Sequence, residues 1–149
     1  MRTVSAAIDI DAPPASVWAI LADLGRYHEW NPLFVEAAGH VAVGQRITLR
    51  SRRPATDRLM TVRPTITRAD PESELRWVSR IPVIITGEHA FALYPAGHGT
   101  RLVQSETFRG LLAGIPNPAF SNAETSFRAL NEALRARAES LGTGAPGGR

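Results

Sequence analysis

Residues 83–109 read V-I-I-T-G-E-H-A-F-A-L-Y-P-A-G-H-G-T-R-L-V-Q-S-E-T-F-R. Val83–Tyr94 is a long, mostly apolar strand, Pro95–Gly99 is rich in turn formers, and Thr100–Arg109 alternates as a second strand. A connection this short joins antiparallel neighbours, because a parallel pair needs a long crossover. Folding the strands about the 95–99 turn sets Phe91 against Gln104 and His89 against Glu106. If Phe91, Leu93, Leu102 and Phe108 face a core, then His89, Gln104 and Glu106 share that face. The opposite parity turns Ala90 and Ala92 to a core instead.

On either side of this hairpin the pattern is consistent. Residues 3–10 alternate as a strand that Asp11-Ala-Pro-Pro14 stops. Val17, Trp18, Ile20, Leu21 and Leu24 then recur at helical spacing, and Gly25 ends that helix. Tyr27–Pro32 is a short turn or second helix. Strands are expected at Leu33–His40, Arg46–Arg52, Arg58–Arg68 and Glu74–Arg80, with turns at 42–45 and 70–73 and with Pro64 and Pro82 at an edge or bulge. After a loop at 110–118, one helix runs to about Leu141. Phe120, Ala123, Phe127, Leu130, Leu134, Ala138 and Leu141 share its apolar face, and Arg128–Glu132 and Arg135–Glu139 fall at i,i+4 on the other. The class is α+β: a curved antiparallel sheet of about seven strands wrapped around a long C-terminal helix, with two short helices after the first strand. That shape can leave a pocket between sheet and helix.

The 149 residues predict one domain, taken as 1–141, with 142–149 as a disordered glycine-rich tail. The composition, 44% hydrophobic and 21% charged, is that of a globular chain. With no cysteine, disulfide frameworks, cysteine nucleophiles, zinc fingers and iron–sulfur sites are excluded. No run of about 18 apolar residues predicts a membrane span. The N-terminus lacks a signal-peptide core, so the reading is a soluble cytoplasmic protein. All 17 basic residues are arginine, against 14 acids, and they are scattered, which argues against nucleic acid as a partner. Arg50, Arg52, Arg53 and Arg58 do cluster around Pro54. They form either a solvated hairpin tip or, at Arg50, Arg52 and Arg53, a docking patch for an acidic protein partner.

Several stretches resemble a known family: Pro14-Ala-Ser-Val-Trp18, Trp30-Asn-Pro32, Val43-Gly-Gln-Arg46, Met60-Thr-Val-Arg-Pro64, Glu74-Leu-Arg-Trp77, Gly87-Glu-His-Ala-Phe91 and Gln104-Ser-Glu-Thr-Phe-Arg-Gly110. In this order and spacing they resemble the START-like helix-grip superfamily, and within it the bacterial SRPBCC or polyketide cyclase/dehydrase-like group. The resemblance covers about Thr3 to Leu141 and implies a ligand cavity under the long helix. Its members include carriers of apolar ligands, cyclases and co-chaperone activators. It brings no established catalytic set.

The candidate catalytic residues are His89 and Glu106. A carboxylate on the core face needs a partner, and His89 is the nearest. The pair acts as acid and base on a polyketide-like substrate, or binds a polar ligand group, or is a satisfied interior pair that shapes the pocket. Trp77, Phe91, Gln104 and Phe108 are expected as pocket walls, Met60, Val62 and Ile66 as its floor, and Phe120, Ala123 and Phe127 as its lid. Trp18 reads as core, Tyr27 as a shell residue with lining the mouth as the lesser alternative, and His28 as a surface residue. His28, His40, His89 and His98 have no metal-ligand spacing, so no metal is expected, and the chemistry needs no cofactor. No dinucleotide fingerprint, phosphate loop or nucleophile elbow occurs. The function implied is binding of a small hydrophobic ligand by a monomer or homodimer, as a cofactor-free cyclase/dehydratase, a carrier or sensor, or a protein-interaction module.

Overall fold

The computed structural model describes residues 1–52, 56, 58–81, 85–116 and 118–143. Along the chain run β1 (Arg2–Ile10), α1 (Pro14–Ala22), a 3-10 helix (Leu24–Glu29), β2 (Phe34–Ala38), β3 (Thr48–Arg52), β4 (Leu59–Val62), β5 (Thr65–Asp70), β6 (Glu74–Ile81), β7 (Ile85–Ala96), β8 (Gly99–Arg109) and α2 (Pro118–Thr143). The antiparallel strands and the long closing helix give the expected α+β helix-grip architecture. Hydrogen bonding divides the strands into two sheets, of order β1-β8-β7-β6-β5 and β2-β3-β4.

The division corrects the expectation of about seven strands, since eight are present among the described residues. Arg58–Arg68 is not one strand. It breaks at Arg63-Pro64 into β4 and β5, which belong to different sheets. Proline has no N–H to give the ladder, but its carbonyl accepts from the Ile47 amide at 3.0 Å. Gly44 N–H bonds Ile66 O at 2.8 Å, Ile66 N–H bonds Gln45 O at 2.9 Å, and Arg46 bridges Thr65. These contacts form a seam between the sheets. Pro82 lies outside the described residues.

The β7–β8 hairpin turns more tightly than expected. Pro95 and Ala96 stay in the ladder opposite Thr100 and Gly99. Only Gly97 and His98 reverse the chain, and Gly97 has φ +60°, a positive value at the first central position that suits strand twist. Gly99 is packed hard against the end of β1: a Cβ there would lie 2.3 Å from the Ile10 carbonyl oxygen. Beside it, the Thr100 hydroxyl donates to the Ala12 carbonyl at 2.7 Å.

Helix α2 is 26 residues long, about 39 Å at the usual rise. It buries Phe120, Ala123, Phe127, Leu130, Leu134 and Ala138 against β1 and β8. Leu141, expected on the same face, is 57% exposed in the last turn. The helix continues through Gly142 and Thr143, which had been assigned to the tail, and 144–149 lie outside the described residues. The ion pairs on its outer side run opposite to expectation. Arg128 bonds Glu124 at 2.6 Å and Arg135 meets Glu132 at 2.7 Å. Side chains on a helix lean towards its N-terminus, so each arginine reaches back to the acid before it.

The short helices aim the chain at the core. The Tyr27 hydroxyl donates to Leu21 O at 2.6 Å, and the ring is fully buried, which places it in the core and not at a mouth. Burial, with Asp23 adding to it, pushes the phenol pKa well up. Trp18 packs partly buried against the core. Asn31 Oδ1 accepts from the Leu33 and Phe34 amides at 3.0 and 2.8 Å, turning the chain into β2 with Phe34 buried. Arg137 of α2 bonds Glu29 at 2.6 Å and holds that carboxyl below its ordinary range.

The outer face of the larger sheet carries a charge network. Arg68 bonds Glu74 at 2.8 Å and lies 3.5 Å from Asp70, while Arg76 bonds Glu74 and reaches Glu88 at 3.3 Å. Burial raises the Glu74 pKa, but the hydrogen bonds from Arg68 and Arg76 outweigh it, and the net shift is downward. A lowered native pKa stabilises the fold above the ordinary carboxyl range and is lost as pH falls through the native value. Denaturant unfolding of Glu74→Gln across a pH series is therefore expected to show a deficit at neutral pH that closes in acid. A deficit independent of pH would show that Glu74 does not act through its charge.

Candidate functional site

Directly paired residues of an antiparallel ladder share a face. The observed registers pair Val4 with Glu106, Glu106 with His89, His89 with Trp77 and Trp77 with Ile66. These five positions form one row across the inner face, from β1 to β5. The adjacent row contains Ala6, Gln104, Phe91 and Leu75. The parity is thus the one that brings His89, Gln104 and Glu106 inward, while Ala90 and Ala92 pair with Arg76 and Glu74 on the charged outer face.

His89 is 2% exposed and enclosed by rings from four elements. Trp77 of β6 stacks on it at 5.3 Å and 13°, Phe91 of β7 lies at 5.0 Å, and Phe34 of β2 and Phe127 of α2 meet it edge-on at 5.3 and 5.1 Å. Both ring nitrogens face polar groups. Nε2 lies 2.9 Å from Gln104 Nε2, and Nδ1 lies 3.6 Å from Glu106 Oε2. With the amide donating to Nε2, the neutral ring carries its proton on Nδ1, facing the carboxylate, where a lone pair would be repelled. At 3.6 Å the ring nitrogen and the carboxylate oxygen are close neighbours and not a hydrogen-bonded pair. Gln104 Oε1 remains buried without a partner.

Burial ranks the three groups. Gln104 and His89 are sealed, whereas the Glu106 side chain is 24% exposed. Glu106 is therefore the group an incoming molecule can reach, and His89 stands behind it. Gly87 makes room for it: a Cβ at that position would lie 2.9 Å from Glu106 Oε1. Phe108 and Phe120 pack together at 5.0 Å on the same side, with the Arg2 guanidinium 4.3 Å above the Phe120 ring. The loop from β8 to α2 exposes Leu111, Leu112 and Ile115 and buries Ala113.

The structure gathers Trp77, Phe91, Gln104 and Phe127 around His89 and sets Phe108 and Phe120 beside Glu106. Ala123 is buried on the same helix face. Ile66 is buried in the inner row beside Trp77 and Val62 packs partly buried against the core, while Met60 is half-buried and outside that cluster. Phe34 joins them from the smaller sheet, its ring meeting Trp77 at 5.4 Å. Phe34 and Gly87 were missed as site residues: Phe34 arrives from the other sheet, and Gly87 acts by an absent side chain. At the arginine tip, Arg50 lies 3.9 Å from Glu36, Arg52 is also engaged, and Arg53 lies outside the described residues.

Residues 1–143 match the family described as "Polyketide cyclase / dehydrase and lipid transport". The chain belongs to this family. Membership supports a hydrophobic ligand-binding or cyclase role for the cyclase/dehydrase-family chain. Among solved structures, protein MLL2253 of Mesorhizobium loti has a TM-score of 0.74 at 19% identity, covering 97% of this chain and 100% of that one. A START superfamily protein of Mycobacterium smegmatis has a TM-score of 0.75 at 18% identity, covering 93% and 98%. The di-domain ARO/CYC StfQ of the steffimycin biosynthetic pathway has a TM-score of 0.73 at 11% identity, and the match covers 95% of this chain and 51% of that one. These likenesses establish the fold. No curated protein matches in sequence.

The close approach at Gly87 involves only the end of a flexible side chain. Gly87→Ala is expected to fold with an unfolding free energy within about 1 kcal/mol of the parent. It should also swing the Glu106 carboxylate and so move the imidazole nitrogen shifts of His89 in an NMR spectrum. Unchanged shifts would show that the carboxylate and the ring are not coupled.

Proposed function

We propose that the chain binds a small, mostly apolar molecule, polyketide-like, aromatic or lipid, between the sheet and α2, and that Glu106 meets its polar end. One observation carries this reading: a partly exposed carboxylate is set at the edge of an aromatic cluster, with a buried imidazole behind it. Trp77, Phe91, Phe108, Phe120, Ala123 and Phe127 supply the apolar surface. Catalysis on this geometry is of the cyclase/dehydratase type. Glu106 takes a proton from the carbon beside a substrate carbonyl, and a β-hydroxyl leaves and accepts that proton as water. His89 stands behind the carboxylate, and no cofactor enters the balance.

A second reading, a carrier or sensor without turnover, is favoured by the seal on His89: both ring nitrogens already face protein groups. In either case we take residues 1–141 as one ligand-binding domain of a cytoplasmic bacterial protein, working as a monomer or homodimer. A third and weaker reading keeps Arg50, Arg52 and Arg53 as a docking patch for an acidic protein partner, since the 3.9 Å contact of Arg50 with Glu36 is exposed on both sides.

Thermal unfolding against fatty acids, sterols, flavonoids and aromatic polyketides tests the binding. A ligand at 100 times its Kd adds about 2.7 kcal/mol to stability. A shift with one scaffold class is expected, and no shift with any class would remove the proposal. Glu106→Gln then separates the two readings. An enzyme loses turnover and keeps affinity within about tenfold, which is 1.4 kcal/mol. A carrier shows only a modest loss of affinity.

A further inference from the structure

On the outer face of the larger sheet, at the seam with the smaller one, lies a groove of about 290 Å³ lined by Arg46, Arg63, Thr65, Thr67, Val78 and Arg80. We propose that this groove binds a phosphate group carrying at least two negative charges. It lies on the face opposite the His89 cluster and is independent of the function proposed above.

Three observations converge. First, the lattice of the sheet places the arginines together. Arg46 bridges Thr65, and Thr65 pairs with Val78, forming one lateral row. Arg63 and Arg80 each stand two residues beyond that row, and both line the groove. Like charges held this close repel one another.

Second, nothing among the described residues offsets that repulsion. Arg68 and Arg76 share Asp70, Glu74 and Glu88, whereas Arg46, Arg63 and Arg80 have no acid within ion-pair distance. Glu88, the acid paired with Val78 at the groove's edge, is held by Arg76. Along one face, two arginines thus share three acids, and three more arginines make no ion pair among the described residues. The Arg46 guanidinium is also fixed, with Nε donating to the Arg63 carbonyl at 3.2 Å.

Third, the donors suit the ligand. Guanidinium forks match phosphate oxygens two at a time, and the Thr65 hydroxyl adds a neutral donor. A single carboxylate would satisfy one fork, whereas a phosphate monoester or diphosphate has charge and oxygens for three. The volume is at the small end for ligand sites, enough for one or two phosphoryl groups. The phosphate is either that of a soluble small molecule or that of a lipid headgroup.

Inorganic pyrophosphate titrated at constant ionic strength tests the site, with amide NMR shifts as the readout. Saturable binding is expected, with shifts confined to Arg46, Arg63, Thr65, Thr67, Val78 and Arg80. Arg80→Gln should weaken it about tenfold through the loss of one charged fork. The triple variant Arg46→Gln/Arg63→Gln/Arg80→Gln should abolish it. Because all three arginines are exposed, the triple variant should fold, with an unfolding midpoint equal to or above the parent's. A lower midpoint would mark the arginines as structural and overturn the proposal. Glu106→Gln should leave pyrophosphate binding unchanged. Vesicles of phosphatidylcholine with and without phosphatidic acid form the second arm. Sedimentation that needs phosphatidic acid and is lost in the triple variant assigns the phosphate to a lipid. Pyrophosphate binding alone assigns it to a soluble molecule. If neither probe binds, if shifts do not saturate, or if they spread over Arg26, Arg101 and Arg128 as well, the inference is wrong.

Discussion

Residues facing each other across the β7–β8 ladder share a face, and one register therefore sets Glu106 beside His89 and Gln104 beside Phe91. Much of the inner architecture has to answer to that placement. An imidazole among aromatic rings needs polar partners at its nitrogens, and the ladder supplies them from the neighbouring strand. A slip of one residue would turn Ser105 and Thr107 inward and take the carboxylate to the other face. The polar trio thus makes the wrong pairing costly. Phe34, Trp77 and Phe127 then close on the ring from a second sheet, a neighbouring strand and the long helix.

The two faces of the larger sheet handle charge differently. Inside, a single carboxylate is kept at the edge, where water still reaches it and the cost of burying an ion stays low. Outside, acids and arginines are sorted along the strands into a compensated stretch and an uncompensated one. The seam between sheets falls at the uncompensated end, because Pro64 interrupts the ladder there and lets the 44–47 segment take its place beside β5.

Much of the inner face was legible in the sequence. The short turn forced an antiparallel pair and set His89 against Glu106, while alternation left open whether that pair or Ala90 and Ala92 face the core, which the registers across β6 and β1 decide. The resemblance to START-like proteins reached the same fold from ordered motifs. Other features depended on contacts between distant segments. The split of Arg58–Arg68 was marked by Pro64, but alternation continued through it and masked the break. Phe34 enters the site only because Asn31 turns the chain and the smaller sheet folds over the larger. Arg46, Arg63 and Arg80 are scattered along the chain and meet only across the seam. The Arg50–Arg53 run was conspicuous in sequence, yet Arg50 lies near Glu36, a residue of a neighbouring strand. The helix ion pairs were misassigned because spacing alone does not say which way a side chain leans.

Gly87 and Gly99 sit on the same hairpin under unlike constraints. At Gly99 the obstacle to a side chain is the backbone of β1, which cannot yield without separating the strands. At Gly87 the obstacle is the tip of Glu106, which can swing. Over evolutionary time the first position has no alphabet but glycine, whereas the second can sample small residues and re-aim the carboxylate each time. The hairpin therefore has one fixed point beside its turn, which keeps the strands joined, and one adjustable point near the open end of the ladder, where Gly87 faces Phe108, through which the aim of the carboxylate can drift without loss of the fold.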